Sequence, residues 1–117
     1  MRVALVCLGF LVAALLPFSA YAYISSDGDE FTVKYNSSGA VLTSIHRKHF
    51  IENNASGRII SKRLVIYIGV SCDAFSENYG DGTWEWANGG FVIHFQSKDF
   101  GFPRQEIDIP GMEKCRL

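Results

Sequence analysis

Leu64-Val-Ile-Tyr-Ile-Gly-Val70 and Thr83-Trp-Glu-Trp-Ala-Asn-Gly-Gly-Phe-Val-Ile-His-Phe95 are linked through Cys72 and the polar segment Asp73 to Gly82. The second run decides the fold class. Aromatic and apolar residues alternate with polar ones on both sides of Asn88-Gly89. That pattern signals a β-hairpin, because a type I′ turn needs positive φ at both central residues. With Asn88-Gly89 as the loop, Trp86 lies opposite Phe91 and Trp84 opposite Ile93. With Gly89-Gly90, Trp86 lies opposite Ile93 and Trp84 opposite Phe95. Either register gathers both tryptophans with Phe91, Ile93 and Phe95 on one face and leaves Thr83, Glu85 and His94 on the other. A three-residue loop would set His94 across from Trp84, since a one-residue slip flips every side chain. A two-residue loop is therefore expected.

In the first run, Leu64, Ile66, Ile68 and Val70 share one face, and Cys72 continues their parity. Val65 and Tyr67 occupy the other. Apolar residues on both faces predict a central strand within Ile59–Val70, covered on both sides. Asp73 to Gly82 reads as a polar loop between this strand and the hairpin.

Further upstream, Phe31-Thr-Val-Lys-Tyr35 alternates as a half-buried strand does. Asn36-Ser-Ser-Gly39 is a turn, and Ala40 to His46 is a second strand paired with the first. Arg47 to Glu52 either continues that strand or forms one helical turn, and Asn53 to Gly57 is a loop. Downstream, Phe100-Gly-Phe-Pro103 reads as an irregular edge and Glu106-Ile-Asp-Ile109 as a short strand. No helical period of useful length and no repeat is found. The expected fold is all-β, a small antiparallel sandwich or partly open barrel of five to seven strands with one disulfide.

The chain of 117 residues opens with Met1-Arg2, an apolar segment from Val3 to Leu16 and Ala20-Tyr-Ala22. A basic start, an apolar core and an A-x-A site predict a signal peptide over residues 1–22. The apolar core falls short of the ~20 residues a membrane-spanning helix needs. Residues 23–117 then form a single β domain, with no membrane span after cleavage. From Tyr23 onward, Lys and Arg number 10 and Asp and Glu 12, a net charge of −2. The signs are interspersed along the sequence, with mild basic clusters at Arg47-Lys48 and Lys62-Arg63. Such a distribution gives no nucleic-acid footprint. Two cysteines remain after cleavage, Cys72 and Cys115. An even count in an exported chain predicts a disulfide between them and a periplasmic or secreted location.

Candidate chemistry is sparse. His46 and His49 are three apart, a spacing that points to opposite faces of a strand. With His94 they would supply three imidazoles for a metal only if the backbone turned between them. Asp73, Glu77, Asp81 and Glu85 could donate oxygens to Ca²⁺, but the ordered ligand spacing of a calcium loop is missing. No nucleophile elbow or phosphate-binding glycine motif is present. No cofactor and no metal is therefore expected. Asn36-Ser-Ser38 and Asn54-Ala-Ser56 fit the glycosylation acceptor and mark surface loops. The aromatic excess is the clearest functional sign, since Trp and Tyr anchor interfaces.

These features lead to an exported, non-enzymatic binding module for a protein or glycan, one form of which is an inhibitor of a secreted enzyme. Its expected binding residues are Asp73, Glu77, Tyr79, Asp81, Trp84 and Trp86, with Tyr79 as the anchor of the loop. Two alternatives are a small hydrolase or metal-dependent enzyme using His46, His49, His94 and the loop carboxylates, and a structural subunit of an envelope assembly.

Overall fold

The computed structural model describes residues 22–52, 56–87 and 89–109, together with Cys115. The expected signal peptide, Ala22 excepted, and the Asn54 acceptor lie outside these residues. Among the described residues, eight strands follow one another in chain order: β1 (Tyr23–Ile24), β2 (Glu30–Asn36), β3 (Gly39–Ile51), β4 (Ile59–Gly69), β5 (Asp73–Ser76), β6 (Gly80–Ala87), β7 (Gly90–Phe95) and β8 (Asp99–Phe102). Each pairs antiparallel with the next, in a single up-and-down sheet. The fold is all-β as the alternation predicts, with eight strands instead of five to seven.

The two ends of the sheet curl toward each other into a nearly closed barrel. Ser26 donates its backbone N–H to the Gly101 carbonyl at 2.8 Å. The side-chain amide of Gln105 bonds both backbone groups of Ile24, accepting from its N–H and donating to its carbonyl, each at 2.7 Å. A carboxamide has the same donor and acceptor as a peptide unit, so Gln105 supplies the pairing that a neighbouring strand would. Inside, the ring of Phe31 meets those of Phe100 and Phe102 edge-on, at 6.2 and 5.7 Å. Aromatic contact thus joins β2 to β8 through the interior.

The barrel interior holds Phe31, Leu42, Leu64, Ile66, Trp84, Phe91, Ile93, Phe100 and Phe102, all buried. Trp86 pairs with Phe91 and Trp84 with Ile93, the register set by an Asn88-Gly89 loop. Gly89 has φ +70°, as that turn demands. Gly90 serves another need: a Cβ there would sit 1.9 Å from the Phe102 carbonyl oxygen. The two glycines therefore have separate causes, one conformational and one steric.

Several expected boundaries move. Asp73 to Gly82 is a hairpin instead of a loop: Asp73–Ser76 is β5, and Gly80 already belongs to β6. Alternation explains this, because Ala74 and Ser76 are buried while Asp73 and Phe75 are exposed. Arg47 to Ile51 continues β3 without a helical turn. Phe100 to Phe102 belongs to the regular strand β8. Glu106 to Ile109 lies outside the ladder, yet Ile107 and Ile109 are buried between exposed Glu106 and Asp108. Among the described residues, strand β4 is covered on its inner side and not on its outer side. Leu64, Ile66 and Ile68 point inward, while Tyr67 is exposed.

The register of β3 against β4 shifts between Thr43 and Arg47. Ser44 turns inward there, and its buried hydroxyl accepts the Leu64 N–H and donates to the His46 carbonyl, both at 2.8 Å. Arg63 donates to the carbonyls of Ser44 and Ile45. Two side chains therefore satisfy backbone groups that the bulge removes from the ladder.

Cys72 and Cys115 form the expected disulfide, with Cα atoms 5.3 Å apart and a sequence separation of 43. It ties the chain's end to the β4–β5 turn. Beside it, Trp84 donates its indole N–H to the Gly69 carbonyl at 2.7 Å and its backbone N–H to the Cys72 carbonyl at 3.0 Å.

Two outcomes follow. Replacing both cysteines by serine should destabilise the fold by about 4 kcal/mol through the freed unfolded chain, read as a lower denaturation midpoint. Trp84→Phe keeps an aromatic ring but leaves the Gly69 oxygen without its indole donor. It should cost about 1–3 kcal/mol in chemical denaturation.

Candidate functional site

The six expected binding residues do not share a surface. Trp84 belongs to the core. Trp86 is half-buried, its ring edge-on to Trp84 at 6.1 Å. Tyr79, the expected anchor, turns inward from the β5–β6 turn. Its ring stacks on Phe95 at 5.5 Å and meets Phe100 and Phe50 edge-on. Glu77 stays exposed in the turn, 3.9 Å from Lys62. Asp73 and Asp81 point outward from the hairpin. Asp73, Glu77, Asp81 and Glu85, weighed above as oxygen donors, are thus spread along two strands and a turn.

A different aromatic pair faces solvent. Tyr67 on β4 and Phe75 on β5 are direct cross-strand partners. Their rings lie 6.3 Å apart, tilted by 34°, and the residues are 49% and 45% exposed. The register extends this row across five strands as Lys34, Val41, Tyr67, Phe75 and Asp81. Next to the pair, a shallow hollow of about 120 Å³ is lined by Asn36, Ser38, Gly69 and Asp73 as well as the two rings. Asn36 accepts the Ser38 N–H at 2.9 Å, which shapes the turn at its rim. The hollow offers two rings, an amide, a hydroxyl and a carboxylate. That combination can hold the apolar face and the hydroxyls of a polar ligand.

Tyr67 and Phe75 were legible in part. Tyr67 has the parity opposite to Leu64, Ile66 and Ile68. Phe75 reads as outward once Asp73-Ala-Phe-Ser76 is taken as a strand. The polar setting of Phe75 concealed that strand.

The histidines are not brought together. His46 and His49 are exposed on β3. His94, on the outer face of β7, lies between two carboxylates: Nδ1 is 3.0 Å from Asp99 on β8, and Nε2 is 3.2 Å from Glu85 on β6. Only the imidazolium donates from both nitrogens. Partial burial draws the His94 pKa down, but hydrogen bonds and charge from Asp99 and Glu85 together raise it above 6.5. Among the described residues, no three His, Cys, Asp or Glu side chains are placed to hold a metal ion. The arrangement is an ionic strap across three strands.

No protein-family model, curated protein or solved structure matches the chain.

The strap makes stability depend on pH. Because the folded state binds the His94 proton more tightly than the unfolded chain, its contribution is complete below about pH 6.5. It is lost as pH rises through the elevated folded value. The melting temperature should therefore fall from pH 6 toward pH 8 by a component that His94→Gln removes. An identical pH profile in that variant would assign the dependence to other groups.

Proposed function

We propose that the protein is an exported, non-enzymatic binding module that takes a glycan or protein partner on the outward face of β4 and β5. The observation that carries this reading is the exposure of Tyr67 and Phe75 as a packed pair over the hollow lined by Asn36, Ser38 and Asp73. Large aromatics side by side in water forgo burial that the interior would give them, and ligand or partner contact supplies it. The polar groups around the rings favour a glycan, whose C–H face stacks on an aromatic plane while its hydroxyls bond to amide and carboxylate. Asp73 and Asp81, two of the residues singled out in the sequence, lie at the rim of this face.

The Cys72–Cys115 disulfide supports export, since such bonds persist in oxidising compartments. The separation of His46, His49 and His94 favours binding over hydrolysis by those groups.

A glycan panel, with capture from envelope and secreted extracts in parallel, tests the proposal. Tyr67→Ala combined with Phe75→Ala should weaken the captured ligand by about 2 kcal/mol or more, with the melting temperature nearly unchanged. Tyr79→Ala, by contrast, should lower the melting temperature and leave affinity intact. Full affinity in the double variant would remove the β4–β5 face from consideration.

A further inference from the structure

The longest hairpin of the fold outruns the barrel wall. Strand β3 pairs with β2 only through Ser44, and β4 pairs with β5 only at Tyr67 and Ile68. From Arg47↔Arg63 to Ile51↔Ile59, the two strands pair, among the described residues, with each other alone. The result is a two-stranded arm with no further described strand paired to its outer backbone edges.

Its register brings like charges together. Arg47 lies opposite Arg63, and Lys48 opposite Lys62. Like charges directly across a ladder disfavour the pairing. Barrel carboxylates relieve the inward lysines: Lys48 bridges Asp29, and Lys62 lies 3.9 Å from Glu77 and over the Phe50 ring. Arg47 points the other way and forms no ion pair among the described residues.

Charge is segregated on the scale of the whole domain. Residues 46–63 carry five basic side chains against Glu52 alone, a net of +4. Residues 22–45 and 64–109 carry three basic side chains against ten carboxylates, a net of −7. The small overall charge therefore conceals a basic arm on an acidic body.

The outward face of the arm also carries apolar surface. Side chains alternate along a strand, so Arg47 and Arg63, His49 and Ser61, and Ile51 and Ile59 form successive rows on that face. Ile51 is 73% exposed and Ile59 65%. We propose that this face of the arm is a docking surface for an anionic lipid bilayer. The arm lies flat, its isoleucines enter the boundary between headgroups and acyl chains, and Arg47 reaches lipid phosphates on its flexible stem. The acidic body is repelled by the same surface, so one orientation is selected. A protein partner is less well matched, because the face is a flat ribbon with an aliphatic pair beside cations. This inference goes beyond the β4–β5 binding reading and stands independently of it.

Co-sedimentation of the processed chain with vesicles tests the proposal. Binding is expected to phosphatidylcholine vesicles containing phosphatidylglycerol and not to phosphatidylcholine alone, and it should weaken as salt rises. Arg47→Glu, and separately Ile51→Ser with Ile59→Ser, should each lower vesicle affinity about tenfold at unchanged melting temperature. Glycan capture by the Arg47→Glu protein should stay intact, which separates failure of this proposal from failure of the binding reading. Absence of sedimentation with the anionic vesicles, or equal binding to neutral ones, would overturn it. So would wild-type vesicle affinity in the isoleucine variant, which would leave an unspecific anion patch. Self-association of the Arg47→Glu protein, when the wild type ignores vesicles, would assign the charges to protecting the arm's edges.

Discussion

The indole N–H of Trp84 reaches the Gly69 carbonyl, and much of the barrel depends on that bond. Gly69 ends β4 and Asp73 begins β5, so the bond holds the point where the sheet reverses. Cys72 lies in that turn with φ 67°, a left-handed conformation costing an L-residue about 1–2 kcal/mol. Three constraints keep it there: the disulfide to Cys115, the bond from the Cys72 N–H to the Gly69 carbonyl, and the bond from the Trp84 N–H to the Cys72 carbonyl. Trp84 is at once the largest fully buried side chain and a hydrogen-bond donor to the turn. Packing and polar satisfaction are therefore coupled in one residue.

Closure of the barrel follows a different logic. No ladder joins β8 to β1, yet Gln105, Ser26 and the Phe31, Phe100 and Phe102 rings bridge the gap. A side-chain amide forms peptide-like bonds without requiring its backbone to run straight. The irregular segment after β8 can therefore seal an edge that would otherwise be open to pairing with another chain. Tyr23 supports the same seam from the other side, where its hydroxyl donates to the Glu106 carbonyl at 2.5 Å. Burial and the neighbouring Tyr35 hydroxyl push its ionisation well up, so it remains a donor across the ordinary pH range.

The hairpin register and the inner parity of β4 were legible because they depend on local alternation and on Asn88-Gly89. So was the disulfide, because only two cysteines follow the predicted cleavage point. The extra strands were not. Asp73-Ala-Phe-Ser76 is short and polar, and it becomes a strand because β4 and β6 lie on either side of it. Tyr79 illustrates the limit on the site. Its sequence neighbours are polar, so local reading turns it outward, but Phe50, Phe95 and Phe100 converge on it from three distant strands. Tertiary packing decides such a residue, and periodicity carries no record of it. The surface at Tyr67 and Phe75 was hidden by the same cause, since it exists only once β4 and β5 are paired.

The basic arm was hidden by register. Arg47-Lys48 and Lys62-Arg63 are unremarkable as two separate dipeptides, and without pairing each reads as a solvated strand end. The shift between Thr43 and Arg47 determines what they become. Continued from Thr43↔Val65 without a shift, the ladder would set Ile45 opposite Arg63 and Arg47 opposite Ser61. The bulge instead places arginine against arginine and lysine against lysine. It is held by Ser44 and by Arg63 itself, whose guanidinium bonds the Ser44 and Ile45 carbonyls. One of the opposed cations thus fastens the register that opposes them. That bond draws Arg63 back toward the bulge and leaves Arg47 as the outward charge. The same two-residue offset sets Ile51 against Ile59, giving the arm its apolar pair. The location of the bulge in β3 therefore determines both the electrostatic and the apolar character of the hairpin beyond it.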